Sequence, residues 1–352
     1  MIQASTRGLD ARSMYHLPIP EERHGMELDE FLCLSFPLLT KGFLRRQVRD
    51  GKILVDGQRT IPSQRLRWSQ VILIDFDEDE VVPEAPVAPS FSIPVLYEDE
   101  HVLAVDKPAD LAAEPERWAR GNASLSGALL SLALERADAE PDSPLTPTEG
   151  LDFRPRLVHR LDKDTTGVVL VAKTLEAERE LRAAFENGTV HKHYLALVEG
   201  EYPLADGESE IIDLPIGPDE KKSGRMRVDR ADGKPSQTRV SIEQRFNGYT
   251  LVRCEPLTGR THQIRVHMRE VGFPLVVDPV YGRHKSLSLS EFKPGYRKKR
   301  GHQELPLITR LTLHARRIEF PRVGTHESVV VESPLPKDFE RVLKQMAKVR
   351  AR

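Results

Sequence analysis

Three polar segments of this 352-residue chain carry residue types that can do chemistry. The densest is Arg156-Leu157-Val158-His159-Arg160-Leu161-Asp162-Lys163-Asp164-Thr165-Thr166-Gly167. It runs directly into residues 168–172, a continuously apolar stretch of the kind that forms a central strand. Charged groups at the mouth of such a strand are where a rigid scaffold presents a site. A carboxylate held there can act as a nucleophile or stabilise developing positive charge. The plainer alternative is a charged surface turn containing an Asp-Lys pair. Lys192-His193-Tyr194-Leu195-Ala196-Leu197-Val198 and Thr258-Gly259-Arg260-Thr261-His262-Gln263-Ile264-Arg265-Val266-His267 follow at long separations.

The elements that must position these segments can be read from periodicity. Residues 191–199 and 249–255 alternate as strands do. Ile264, Met268 and Val271 have helical spacing, with Gly272 as a stop, and Arg265 lies off that apolar stripe. Val95-Leu96-Tyr97 and Val102-Leu103-Ala104-Val105 are strand-like about an acidic turn, and a helix beginning at Leu175 should end at Asn187-Gly188. Strands and helices mix without regular alternation, so the fold class is α+β. Residues 138–150, with three prolines, read as a loop, and residues 284–306 as a polar, basic insertion.

A smaller module precedes this. Residues 1–25 read as an irregular extension. Within 26–76, Leu28, Phe31 and Leu32 form one helical stripe, while Thr40 can cap a second helix carrying Phe43, Leu44 and Val48. A strand then enters an Asp56-Gly57 turn, and another spans residues 71–75. The acid- and proline-rich residues 77–92 cannot bury a core and read as a linker to a large domain at 93–345.

Composition narrows the class of partner. No apolar run approaches the roughly 18 residues of a membrane helix. Cys33 and Cys254 are too few for a disulfide framework, so a reducing cytoplasm is expected. The net charge of −2 hides strong local asymmetry: residues 41–67 hold eight basic side chains against two acidic ones. Local patches, not totals, bind phosphate.

Together with Val95-Leu96-Tyr97-Glu98-Asp99-Glu100-His101-Val102-Leu103-Ala104-Val105-Asp106-Lys107-Pro108, the three polar segments resemble the signature blocks of the RluA family of RNA pseudouridine synthases. The central block is His159 to Gly167, with Thr166 where the family usually has serine. Asp278-Pro279-Val280-Tyr281-Gly282 and Leu313-His314-Ala315 resemble later landmarks, so the likeness extends over roughly residues 93–320. The module at 26–76 resembles the alpha-L RNA-binding motif, named after a small-subunit ribosomal protein, and its basic residues include Arg45, Arg46 and Arg49.

The resemblance implies a fold with a central, largely antiparallel mixed sheet flanked by helices and loops, and an enzyme that detaches uracil from its sugar at N1, turns the base and rejoins it through C5. Nothing is oxidised and no group is imported, so neither cofactor nor metal is expected. By resemblance Asp162 is the catalytic aspartate. Such a carboxylate must stay ionised in a site that excludes water, where burial works against charge and a neighbouring guanidinium supports it. Arg265 is assigned that pairing. Tyr194 is assigned the pocket, stacking on uracil or relaying a proton. A paired uridine has to be extruded to be reached. Arg160 is assigned to the vacated space or the flipped nucleotide, with His159 and Arg260 as further RNA-binding residues. Structured RNA is the expected partner, ribosomal before transfer RNA, and the chain is expected to work as a monomer. His191 with His193, and His262 with His267, imitate metal-binding pairs but lack carboxylate or cysteine companions at usable spacing. Structural or RNA-contacting roles suit them better. A non-catalytic RNA-binding protein is the main rival reading. A phosphotransferase, suggested by His159-Arg160-Leu161-Asp162, lacks the glycine-rich phosphate loop it would need.

Overall fold

The computed structural model describes residues 15–19, 23–36, 39, 41–75, 92–114, 123–139, 153, 155–220, 222, 224–297, 303–325 and 327–351. They fall into two compact units, Met1–Pro86 and Val87–Arg352. Thr40, most of the 77–92 linker, residues 140–150 of the expected loop and the basic run at 298–302 lie outside the described residues.

In the first unit the elements run β1 (Tyr15–Pro18), α1 (Leu28–Ser35), α2 (Lys41–Arg49), β2 (Ile53–Val55), β3 (Gln58–Arg59) and β4 (Val71–Ile74). The apolar stripes of both helices, including Leu28, Leu32, Leu44 and Val48, share one core with Ile53, Val55, Ile72 and Ile74 of the sheet. Asp56 and Gly57 adopt positive φ, 50° and 75°, as the two-residue hairpin between β2 and β3 requires. The 1–25 extension needs correction, because Tyr15–Pro18 pairs antiparallel with β4 and forms an edge of the sheet. A four-residue strand ending in proline is too short to show a period.

The second unit begins with β5 (Val95–Glu98), β6 (Val102–Lys107), α3 (Leu125–Ala139), β7 (Arg156–Leu157), β8 (Thr166–Ala172) and α4 (Leu175–Glu186). Then come β9 (His191–Glu199), β10 (Ser209–Asp213), β11 (Ile216–Pro218), β12 (Met226–Val228), β13 (Gln237–Phe246) and β14 (Tyr249–Pro256). The chain closes with α5 (Gln263–Glu270), α6 (Leu289–Phe292), β15 (Leu313–Pro321), β16 (Ser328–Glu332) and α7 (Lys337–Val349). One sheet runs β10-β13-β14-β9-β15-β8-β6-β5, with β16 and β7 attached to β15 and β8. This is the α+β architecture the sequence suggests. The pairings along the path are antiparallel except β15 with β8, which run parallel at the centre.

That parallel junction explains Gly167. Its φ is 120°, and a Cβ there would stand 2.2 Å from the carbonyl oxygen of Ala315. Neither the dihedral nor the space admits another residue. Downstream, β8 is buried along its length, as its unbroken apolar run requires. The sequence reading needs adjusting in three places here. The helix α3 reaches Ala139, taking the start of the 138–150 loop. The 284–306 insertion is partly apolar, since Leu287 and Phe292 are buried with Phe339, Val342 and Met346 of α7. The domain also continues past residue 345, where the Arg350 carbonyl accepts a hydrogen bond from the Asn247 amide.

Candidate active site

The segment before β8 is tied down by buried Val158, Leu161 and Thr165, which leaves Arg160 and Asp162 turned toward more open surroundings. Asp162 Oδ2 accepts a hydrogen bond from Arg265 Nη1 at 2.8 Å, spanning 103 residues of sequence. A quarter of the Asp162 side chain (25%) remains accessible, while that of Arg265 is only 6% exposed. The expected carboxylate–guanidinium pair is therefore present.

What the sequence reading lacked is the other side of that arginine. Nε and Nη2 of Arg265 each donate to a carboxylate oxygen of Asp278 at 2.8 Å, a bidentate fork. Asp278 in turn accepts the backbone amides of Val280 and Tyr281. Burial opposes charge on both residues. The Asp278 hydrogen bonds, with the charges of Asp278 and Asp162, nonetheless push the Arg265 pKa upward. Arg265 and the two amides likewise hold Asp278 below the usual carboxylate range. The Tyr281 ring also lies against Arg265, with its centroid 4.9 Å from the guanidinium carbon. A guanidinium this buried needs more than one partly open carboxylate, and that requirement is the signal that could have found Asp278.

Tyr194 stands on β9, paired with Cys254 of β14 and Ala315 of β15, and is nearly buried. Burial and the charge of Asp162 raise its pKa far above the ordinary phenol value, so the group is a neutral hydroxyl. Arg160 is 73% exposed, with the Glu114 carboxylate 4.0 Å away. Arg260 is exposed at the N-terminal approach to α5, where its Nε donates to the Pro235 carbonyl.

His159 is placed elsewhere. Its Nε2 accepts the Leu170 amide of β8 at 2.9 Å and its ring packs on Phe185. Burial pushes its pKa down to about 3, so the imidazole is neutral. It braces the segment against the sheet and joins none of the polar contacts of Asp162. In the first unit, Arg46 and Arg49 are exposed on α2, whereas Arg45 pairs with the buried Asp29 at 2.6 Å.

Two further residues border the cluster. Lys107 is fully buried and donates to the carbonyls of Pro108, Leu111 and Lys163 at 2.7–2.8 Å. Burial pushes its pKa down to about 7 against the nearby Asp164 and Asp162. Three acceptors nevertheless match the three hydrogens of an ammonium, which is the form this geometry holds. Lys107 thus clamps the backbone one residue beyond Asp162. His262 lies with its Nε2 3.8 Å from Asp162 Oδ2. Among the described residues no cluster of three or more metal-ligating side chains occurs, and no helix is long and apolar enough to cross a membrane.

Comparison with known proteins bears on the same region. Residues 101–270 match the family described as RNA pseudouridylate synthase. Ribosomal large subunit pseudouridine synthase D of Xanthomonas campestris is 32% identical over 352 residues, covering 100% of this chain and 98% of its own. The synthase D of Pseudomonas aeruginosa is 35% identical over 321 residues, covering 91% and 92%. Ribosomal large subunit pseudouridine synthase C of Escherichia coli is 32% identical over 342 residues, covering 94% and 96%. Among solved structures, human RNA pseudouridylate synthase domain containing 4 superposes with a TM-score of 0.54 at 24% identity, covering 72% of this chain and 92% of that one.

Proposed function

The chain belongs to the RNA pseudouridylate synthase family, in the RluA group its motifs resemble, and from that premise we propose that Asp162 is its catalytic carboxylate and large-subunit ribosomal RNA its substrate. The enzyme is an isomerase, detaching uracil from its ribose at N1 and reattaching it through C5. The observation that carries the reading for Asp162 is its asymmetric setting: one oxygen is bound by a buried arginine, while a quarter of the side chain stays accessible. A carboxylate so held is oriented without being used up. It can attack the base or sugar, or stabilise positive charge at the sugar.

Arg265 donates to Asp162 and fixes its angle, because its own fork is already anchored on Asp278. Tyr194 supplies a flat ring for the base and a protonated hydroxyl for proton relay. Arg160, exposed and loosely paired, is free to stack in the space left by an extruded nucleotide or to hold its phosphate. The first unit is the RNA-binding module, with Arg46 and Arg49 meeting phosphate. The enzyme works as a monomer, in the cytoplasm, without metal or cofactor.

The three bacterial relatives carry the ribosomal large subunit in their names, which favours its RNA over transfer RNA. Pseudouridine mapping of total RNA from cells with and without the gene tests this. One or more large-subunit ribosomal positions should lose the modification in its absence. Loss confined to transfer RNA would redirect the substrate assignment and leave the chemistry intact.

A further inference from the structure

The Asp278–Gly282 turn contains more than the anchor for Arg265. The Tyr281 hydroxyl oxygen accepts the Met226 amide at 2.8 Å and lies 2.8 Å from His262 Nδ1. A phenol has one hydrogen to give. The Met226 amide donates to that oxygen, so the hydroxyl hydrogen is satisfied only by pointing at Nδ1. The reverse arrangement would leave it unpaired in a buried site. Nδ1 is then an acceptor, and in a neutral imidazole the proton sits on Nε2. That nitrogen is 3.8 Å from Asp162 Oδ2, too far for a hydrogen bond and on the oxygen that also receives Arg265.

Two features show that this orientation is built. His262 takes a left-handed backbone, φ 57° and ψ 20°, uncommon for a residue with a side chain, at the start of α5. Its ring meets Tyr281 edge to face, at 5.5 Å and 76°. The charged groups facing it are Asp162 and Arg160 from the segment before β8, Arg265 from α5, and Asp278 from the turn. Burial lowers its pKa despite Asp162, in keeping with a neutral ring.

We propose that His262 is a further catalytic residue, a neutral donor whose Nε2–H, aimed by Tyr281, bonds a carbonyl oxygen of the flipped uracil beside Asp162. When the N1–C1′ bond breaks, its electron pair stays with the base, and negative charge spreads onto the uracil oxygens. A fixed donor at such an oxygen stabilises the departing base more than the bound uridine. No proton is transferred: it stays on Nε2, and the ring returns unchanged after C5 rejoins the sugar. The inference rests on the reading of Asp162 above.

The test compares His262→Gln with His262→Asn in single-turnover pseudouridine formation on total RNA from cells lacking the gene. Asparagine suits the left-handed backbone and reaches Tyr281, but its amide is too short to present a donor where Nε2 stands. Glutamine reaches that position. His262→Asn should lose about 10²-fold in rate with RNA affinity unchanged. His262→Gln should stay within about tenfold of the parent. A purely structural histidine gives the opposite ranking, since asparagine would then be the better substitute. Asparagine equal to or better than glutamine overturns the proposal, as does a parental rate in both. Asp162→Asn in the same assay separates the two readings. If it still turns over, the site assignment falls; if it is inactive while His262→Asn is active, only the donor role falls.

Discussion

Each unit of this molecule contains an arginine–carboxylate pair at hydrogen-bond distance, and the two are built in opposite senses. In the N-terminal unit the carboxylate of Asp29 is wholly buried, while Arg45 is 43% exposed and shares its partner with Lys41. In the larger unit Arg265 is buried and locked on Asp278, and its second carboxylate, Asp162, is the accessible member. The first arrangement ties an exposed helix face to a buried acid. The second engages all three nitrogens of a guanidinium so that one anion can be offered outward at a fixed angle. Which partner is left accessible thus separates a pair that holds structure from a pair that, on the function proposed above, presents a reactive group. Pair distance alone does not, because both pairs are short.

The largest effect should come from the accessible partner itself. Asp162→Asn keeps the shape and removes the charge, so pseudouridine formation should fall by more than about 10³-fold while RNA affinity, measured by filter binding, is kept. Substantial turnover in that variant would break the contrast. Next, Arg265→Lys replaces a three-way fork by a point charge that cannot serve Asp278 and Asp162 with the same geometry. A rate loss of about 10²-fold is expected in single-turnover kinetics.

Asp278→Asn probes the buried end. It should cost roughly 3 kcal/mol in denaturant unfolding, because half of a buried pair is removed. It should also change the acid limb of stability. The folded-state pKa of Asp278 is depressed, so its contribution is complete above its unfolded value near about 4 and is lost as pH falls through the folded one. The variant should therefore lose less stability than the parent on acidification below about pH 4, and parallel curves would contradict the pairing. The smallest effect is expected in the first unit. Arg45→Ala should lower stability by about 1 kcal/mol and leave the catalytic rate on bound RNA unchanged. A drop in that rate would mean that Arg45 serves more than structure.

Much of this was legible in the sequence. The residues of the pair, Asp162 and Arg265, stood in recognisable blocks, and the strands and stop signals around them were readable from period and glycine placement. The α5 stripe holds for Ile264 and Met268, which are buried, while Val271 falls just past the helix as its partly buried C-cap. The stripe concealed that residues 263–268 are all buried, so a charged residue off the apolar stripe could still be an interior one. Asp278 and Tyr281 stand in a recognisable block to which the sequence alone gives no task. Their roles depend on side chains brought in from α5, which a one-dimensional reading does not supply. His159 failed for a related reason. Its neighbours in sequence are site residues, but its ring belongs to the sheet behind them. The Tyr15–Pro18 strand was missed because edge pairing is decided by the partner strand β4, not by a pattern in four residues.

The parallel pairing of β8 with β15 also sets an order of events. Thr166 and His314, joined at that seam by a side-chain hydrogen bond, lie 148 residues apart. Contacts that distant carry a large loop-closure cost, which nearer pairings reduce once formed. During synthesis, the ribosome must have released the chain through β15 before Thr166 and Gly167 can find the strand they pair with. Products of the gene that stop before β15 lack the partner of β8 at this seam and should be inert rather than partly active.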